Sequence, residues 1–153
     1  MKPHNQRFRH PSLLMQLLLI FWPPIFVFLL HVFLVGYIHI YDDYPWLDGP
    51  MHYLGGLSMA YSVFMAWTYL QTRGTIHHLD RIIELVLVLT SVTTIAVFWE
   101  FGEFLLDWFL GTDLQVSLPN TMKDLLMGIL GAGTLVLYHL LKSSRREFIA
   151  SKE

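Results

Sequence analysis

The chain has 153 residues, of which 54% are hydrophobic and 14% charged, and its mean hydropathy of +0.48 is above the usual range for a soluble domain of this size. Its net charge is only -2, and no nucleic-acid partner is expected. With no cysteine, disulfides, thiolate metal sites and thiol nucleophiles are excluded, so any metal must be held by oxygen and imidazole.

Four apolar stretches occur in order, at about 13–40, 50–70, 82–109 and 121–141. Each reaches the ~20 residues that cross a ~30 Å hydrocarbon core. The expected fold is all-α: one transmembrane domain over residues 1–153, a polytopic four-helix bundle embedded in the lipid bilayer. The first stretch follows Lys2, Arg7 and Arg9, but it is too long for a secretory signal and has no small-residue cleavage site, so a retained helix is expected. Pro23-Pro24 removes backbone donors there and predicts a kink. On the same helix, His31 is expected to make an interhelical hydrogen bond, and His39 lies at a depth where it could supply an imidazole.

The second stretch opens with Asp48-Gly49-Pro50, where Asp48 reads as an N-cap followed by a first-turn proline. His52 falls in its first turn. Gly56 and Ala60 form a small-x-x-x-small pair, and Gly128, Gly131, Ala132 and Gly133 repeat the theme on the fourth stretch. Close backbone approach of these two helices is expected, and such faces would also permit a homodimer. The fourth helix begins near Pro119-Asn120-Thr121, where Thr121-x-x-Asp124 has the spacing of a capping box.

The third stretch carries Glu100, Glu103 and Asp107 at i, i+3, i+7, inside a stripe of about 60°. At ~1.5 Å per residue, Glu100 falls roughly 6 Å below the membrane boundary. The same count puts His52 and Asp124 at a similar depth, so three helices send acids and one imidazole to one stratum. Only Lys123 and His52 are at hand to offset the negative charge. Such groups in a bilayer face the bundle interior, paired or solvated. Protonated carboxyls, a wet outward-open vestibule and a bound cation each resolve the imbalance. A divalent ion held by Asp48, His52, Glu100, Glu103 and Asp124 fits the residue types. Asp107 reads equally well as a snorkelling interfacial acid, and Asp42, Asp43 and Asp113 as solvated loop residues.

Lys2, Arg7, Arg9, Arg73, Arg81, Lys142, Arg145, Arg146 and Lys152 lie on one side of a four-crossing arrangement and Lys123 alone on the other. Basic residues stay inside, so both termini are expected in the cytoplasm, with the chain in the inner (plasma) membrane. Tails of about a dozen residues at each end read as basic, solvated segments.

The elements Asp48-x-x-x-His52-x-x-Gly55, Glu100-x-x-Glu103, Phe109-Leu110-Gly111-Thr112, and Asp124 followed by Gly128-x-x-Gly131-Ala132 resemble the YjdF-like family of small inner-membrane proteins. A more distant similarity is to VanZ-like proteins. The first carries no activity over; the second implies an association with envelope chemistry. Three functions follow as expectations. One is metal-dependent chemistry on an envelope lipid or lipid-linked substrate, with Glu100, Glu103 and Asp124 as catalytic residues. The others are a cation or proton transport site, and a non-catalytic polar knot that fixes helix register or recruits a partner.

Overall fold

The computed structural model describes residues 12–150, with side chains up to 142. The expected basic tail at Lys2, Arg7 and Arg9 lies outside the described residues, as do Lys152 and the side chains of Arg145 and Arg146.

The described residues form helices joined by turns and short loops, with no strand among them. Four helices are long: α1 (Leu13–Phe33), α3 (Asp48–Thr72), α4 (Arg81–Leu110) and α5 (Leu118–Ala150), and a single turn, α2 (Ile40–Asp43), follows the first. The segments Leu13–Ile38, Arg81–Leu110 and Leu118–Lys142 are long and apolar enough to cross a membrane. α3 has the length but is more polar, with Gly49, Gly56, Ser58 and Ser62 among its buried residues. It packs against α1, α4 and α5, so its partners, rather than lipid, receive much of its surface. The other three turn large side chains such as Phe26, Phe98, Phe101 and Leu126 outward, as lipid-facing helices do.

Three helix ends have a clear local cause. Ser12 caps α1 by accepting from the Met15 N–H (3.3 Å), and Asp80 caps α4 by accepting from the Ile82 N–H (2.8 Å). Gly111, at φ 66°, ends α4 in the left-handed conformation that glycine adopts freely. The first apolar stretch does not run straight to residue 40. It passes into a π-helical turn at Leu34–Ile38 and breaks at His39, whose φ is 52°. α5 starts three residues earlier than its apolar pattern and continues to Ala150, so the C-terminal segment expected as a solvated tail is helical in backbone.

Pro23 and Pro24 sit inside α1 without ending it. Pro24 cannot donate to the Ile20 carbonyl four residues back, and the Ser62 hydroxyl of α3 donates to that carbonyl instead, at 2.6 Å. A freed backbone acceptor in hydrocarbon must find such a donor. This bond also fixes the register of α1 on α3.

The tightest contact is between α3 and α5. A Cβ built on Gly56 would stand 1.9 Å from the Gly128 carbonyl oxygen, and one on Gly131 would stand 2.0 Å from the Tyr53 carbonyl oxygen. The two backbones touch where the sequence predicted close approach. These small-residue faces, considered for a homodimer, therefore already serve a contact within one chain. Below them Ala60, Val88, Val92 and Ala132 form a fully buried core. At the far end of the bundle Arg81 donates to Glu84 (2.7 Å) and to His139 Nδ1 (2.9 Å), and stacks over Phe64. This cluster ties α3, α4 and α5 together.

Candidate metal centre

At the opposite end of that core, four carboxylates and one imidazole meet. His52 occupies the middle: its Nε2 lies 3.4 Å from Asp48 Oδ1 and its Nδ1 lies 3.7 Å from Glu100 Oε1. Helical periodicity puts Asp48 and His52 on one face of α3, four residues apart. The close α3–α5 approach carries Asp124 to the Asp48 side. α4, running antiparallel to both, delivers Glu100 and Glu103 to the other side. One donor atom each from Asp48, His52 and Asp124 falls within 4.8 Å of the others, and the same holds for His52, Glu100 and Glu103.

The two halves differ in how their charge is met. On the Asp48–Asp124 side, the Asn120 amide donates to Asp48 Oδ2 (3.1 Å) and to Asp124 Oδ2. Lys123 lies 3.6 Å from Asp48 and 3.4 Å from Asp124, and donates to Asn120 Oδ1 at 2.8 Å. On the Glu100–Glu103 side, no Lys or Arg forms an ion pair among the described residues. Glu103 accepts from Trp99 Nε1 (2.8 Å), and Gln115 Nε2 donates to the Glu100 backbone carbonyl (2.9 Å) and stands 3.4 Å from Glu100 Oε2. Glu100 is 6% exposed and Asp124 2%. Glu100 Oε1 and Asp124 Oδ1 are buried and accept no hydrogen bond among the described residues, but Asp124 Oδ1 is met by the Lys123 ammonium at 3.4 Å, whereas Glu100 Oε1 has only the His52 imidazole, 3.7 Å away. A buried anionic oxygen without a donor is costly, and nearly all such atoms in folded proteins have a partner.

Two roles inferred from sequence are corrected. Asp48 does not cap α3, because a 3-10 turn at Pro45–Leu47 leads directly into the helix and no side chain caps it. Its carboxylate faces His52, Asn120 and Lys123 instead. Thr121 and Asp124 form no capping box. α5 begins earlier, with the Ser117 hydroxyl accepting from the Asn120 N–H at 3.3 Å, which leaves Asp124 inside the helix and free to face α3.

Asp107, on the same stripe as Glu100 and Glu103, serves the loop rather than the cluster. Its carboxylate accepts from the Thr112 hydroxyl (2.6 Å) and from the N–H groups of Leu114 and Gln115 (both 2.8 Å). It thereby fixes Gln115, which reaches back to Glu100. Asp107→Ala should free the 111–117 loop, and limited proteolysis should then cut it several-fold faster with the helices intact; an unchanged cleavage rate would refute this role.

His39, weighed as a second imidazole, is the left-handed break after the π-helical turn, is exposed, and joins neither donor group. His31 makes its hydrogen bond to Tyr41 of α2 (Nδ1 to Oη, 3.2 Å) and stands edge-on to Trp99. Burial, with Asp48, Glu103 and Asp124 nearby, raises the Tyr41 pKa above the ordinary phenol value. Asn120, Gln115 and Trp99 were not identified from sequence as site residues. Asn120 and Trp99 each stand four residues before an acid they contact, a helical spacing that could have found them. Gln115 lies on a loop, where no periodicity points to it.

The donor set of one imidazole and several carboxylates, on membrane helices around a shared point, defines a class: a polytopic helical membrane protein with a buried acidic and histidine centre. The chain belongs to the family described as predicted membrane protein (DUF2238), whose model matches residues 7–145. That membership is consistent with the YjdF-like resemblance. No curated protein matches the chain. No solved structure matches it either.

Proposed function

We propose that the cluster is a divalent-metal centre at the outer leaflet of the inner membrane. It would act on a phosphoryl or acyl group of an envelope lipid or lipid-linked substrate. The observation that carries this is the buried Glu100 Oε1, which accepts no hydrogen bond among the described residues and stands 3.7 Å from His52 Nδ1, in one group with Glu103. Ligand bonds of roughly 2.0 to 2.6 Å put donors of one ion within about 5 Å of each other, a separation that both groups satisfy. Hard carboxylates with a single imidazole suit magnesium, manganese or zinc better than a soft ion.

The charge balance favours His52 Nδ1, Glu100 and Glu103 as the ligand set, because Lys123 and Asn120 already serve Asp48 and Asp124. With Nε2 facing Asp48, that carboxylate accepts the remaining ring N–H and fixes the tautomer that leaves Nδ1 free to bind. Asp124, close to His52 and outside that set, is the carboxylate placed to take a proton from a nucleophile. A bound ion would supply Lewis-acid polarisation or an activated water. The excess of basic residues on the other side of the bundle supports cytoplasmic termini. A cavity of about 360 Å³ between α4 and α5 has Glu100 and Gln115 in its lining.

The compensated Asp48–Asn120–Lys123–Asp124 half favours a second reading, in which the cluster is a polar knot that locks α5 onto α3 without turnover. Transport through one chain is opposed by the apolar plug of Ala60, Val88, Val92 and Ala132 between the two polar ends.

Elemental analysis tests the centre. Protein purified without chelators and equilibrated with divalent ions should hold about one ion per chain, and Glu100→Gln or Glu103→Gln should weaken binding by at least ~10-fold. A metal-free wild type after that treatment would overturn the proposal.

A further inference from the structure

A second cavity, of about 120 Å³, lies directly beneath His52, among α1, α3, α4 and α5. Its lining is apolar apart from Ser58, whose hydroxyl donates to the Gly55 carbonyl, and one end where His52, His31 and Trp99 stand next to the acidic cluster. From His52 to Met59 on α3, and from Trp99 to Val92 on α4, it extends seven residues, or about 10 Å along the helix axis. Room comes from small residues on its walls, among them Gly55 and Ala96. Its size is comparable with the roughly 150 Å³ apolar void that stays dry and takes up benzene. Water is therefore a poor occupant and hydrocarbon a good one.

The cavity also has a side wall that lipid can reach. α1 packs on α3, while α4 packs on α3 and α5, and α1 and α4 meet at few positions. The Trp99 ring bridges the gap, edge-on to Phe28 (centroids 5.9 Å apart) and to His31 (5.9 Å). Phe28 and Trp99 are both exposed on the outer surface of this wall, which faces the hydrocarbon layer if the helices span as their composition requires.

We propose that this cavity receives a short segment of one hydrocarbon chain of a bilayer lipid, admitted between α1 and α4 past Phe28 and Trp99. The lipid's polar group then lies against His52, Glu100 and Glu103. Placement of that polar group rests on the metal-centre proposal, whereas the chain pocket itself rests only on the cavity. An apolar slot ending at the centre would select membrane lipids over soluble phosphates or esters, because only a lipid fills both parts.

Gly55 provides the test. It lines the cavity, and a Cβ there meets nothing within 4 Å, so Gly55→Leu fills the space while leaving the α3–α5 contact alone. The protein is placed in phosphatidylethanolamine and phosphatidylglycerol vesicles containing a trace of phosphatidylethanolamine with a mid-chain diazirine, irradiated, and mapped by peptide mass spectrometry. Wild type should be labelled at Val92, Ile95 and Met59. Gly55→Leu should lose that labelling at least five-fold while keeping it at the outward-facing Phe98. Phe28→Ala, which opens the side wall, should raise it, and this keeps the test decisive if Gly55→Leu fails to insert. Cavity labelling absent from wild type, or unchanged in both variants, overturns the pocket. Metal content measured on the same samples separates the two proposals: labelling with no bound ion retires the metal centre alone, and a bound ion without cavity labelling retires the pocket alone.

Discussion

Gly56→Ala and Gly131→Ala should each take the bundle apart at its tightest seam. The added methyl carbons would stand 1.9 Å from the Gly128 carbonyl oxygen and 2.0 Å from the Tyr53 carbonyl oxygen. Both obstacles are backbone, so no rotamer change relieves them and α3 must move off α5. Overpacking of this kind costs about 3 kcal/mol or more, among the larger effects of a single substitution. The displacement of α3 would also shift His52 relative to Glu100 and Glu103 on α4, so metal binding should fall with stability. Gly133 is the control: a Cβ there meets nothing within 4 Å, and alanine for glycine within a helix is neutral or favourable by about 0.5 to 1 kcal/mol. Reversible unfolding in mixed micelles reads the difference. A Gly131→Ala protein as stable as Gly133→Ala would show that the backbones are not in contact.

His52→Ala and Asp48→Asn should separate a ligand from the residue that orients it. Removing the imidazole takes away the one nitrogen donor of both groups, and divalent-ion affinity should drop by more than ~100-fold. Asp48→Asn keeps the shape but weakens the acceptor for the His52 Nε2–H, and loss of such an outer partner typically costs 10- to ~100-fold. Titration against a competing chelator measures both constants. Equal losses would make Asp48 a direct ligand, and an unchanged constant in His52→Ala would remove the imidazole from the centre altogether. Because Asp48 is also held by Asn120 and Lys123, Asn120→Ala offers a comparison that loosens α5 without touching the ring.

Sequence and structure divide along a physical line. The all-α membrane character, the long helices and the pairing of small faces were legible because they depend on hydropathy, length and a period of 3.6 residues, all local properties. The common depth of His52, Glu100 and Asp124 was legible for the same reason, since rise per residue is constant along a helix. Only the packed molecule decided that Asp107 faces the loop while Glu103 faces His52, although both lie on one stripe. A stripe some 60° wide spans more than one neighbour, and the crossing of α4 over α3 determines which acid meets which partner. The tertiary structure likewise moved Asp48 and Asp124 out of capping roles, by starting their helices elsewhere than the apolar pattern suggested. Gln115 on its loop, the Ser62 bond to the carbonyl that Pro24 leaves open, and the cavity beneath His52 each depend on contacts between distant parts of the chain. No local pattern encodes such contacts, because they exist only once the helices have packed.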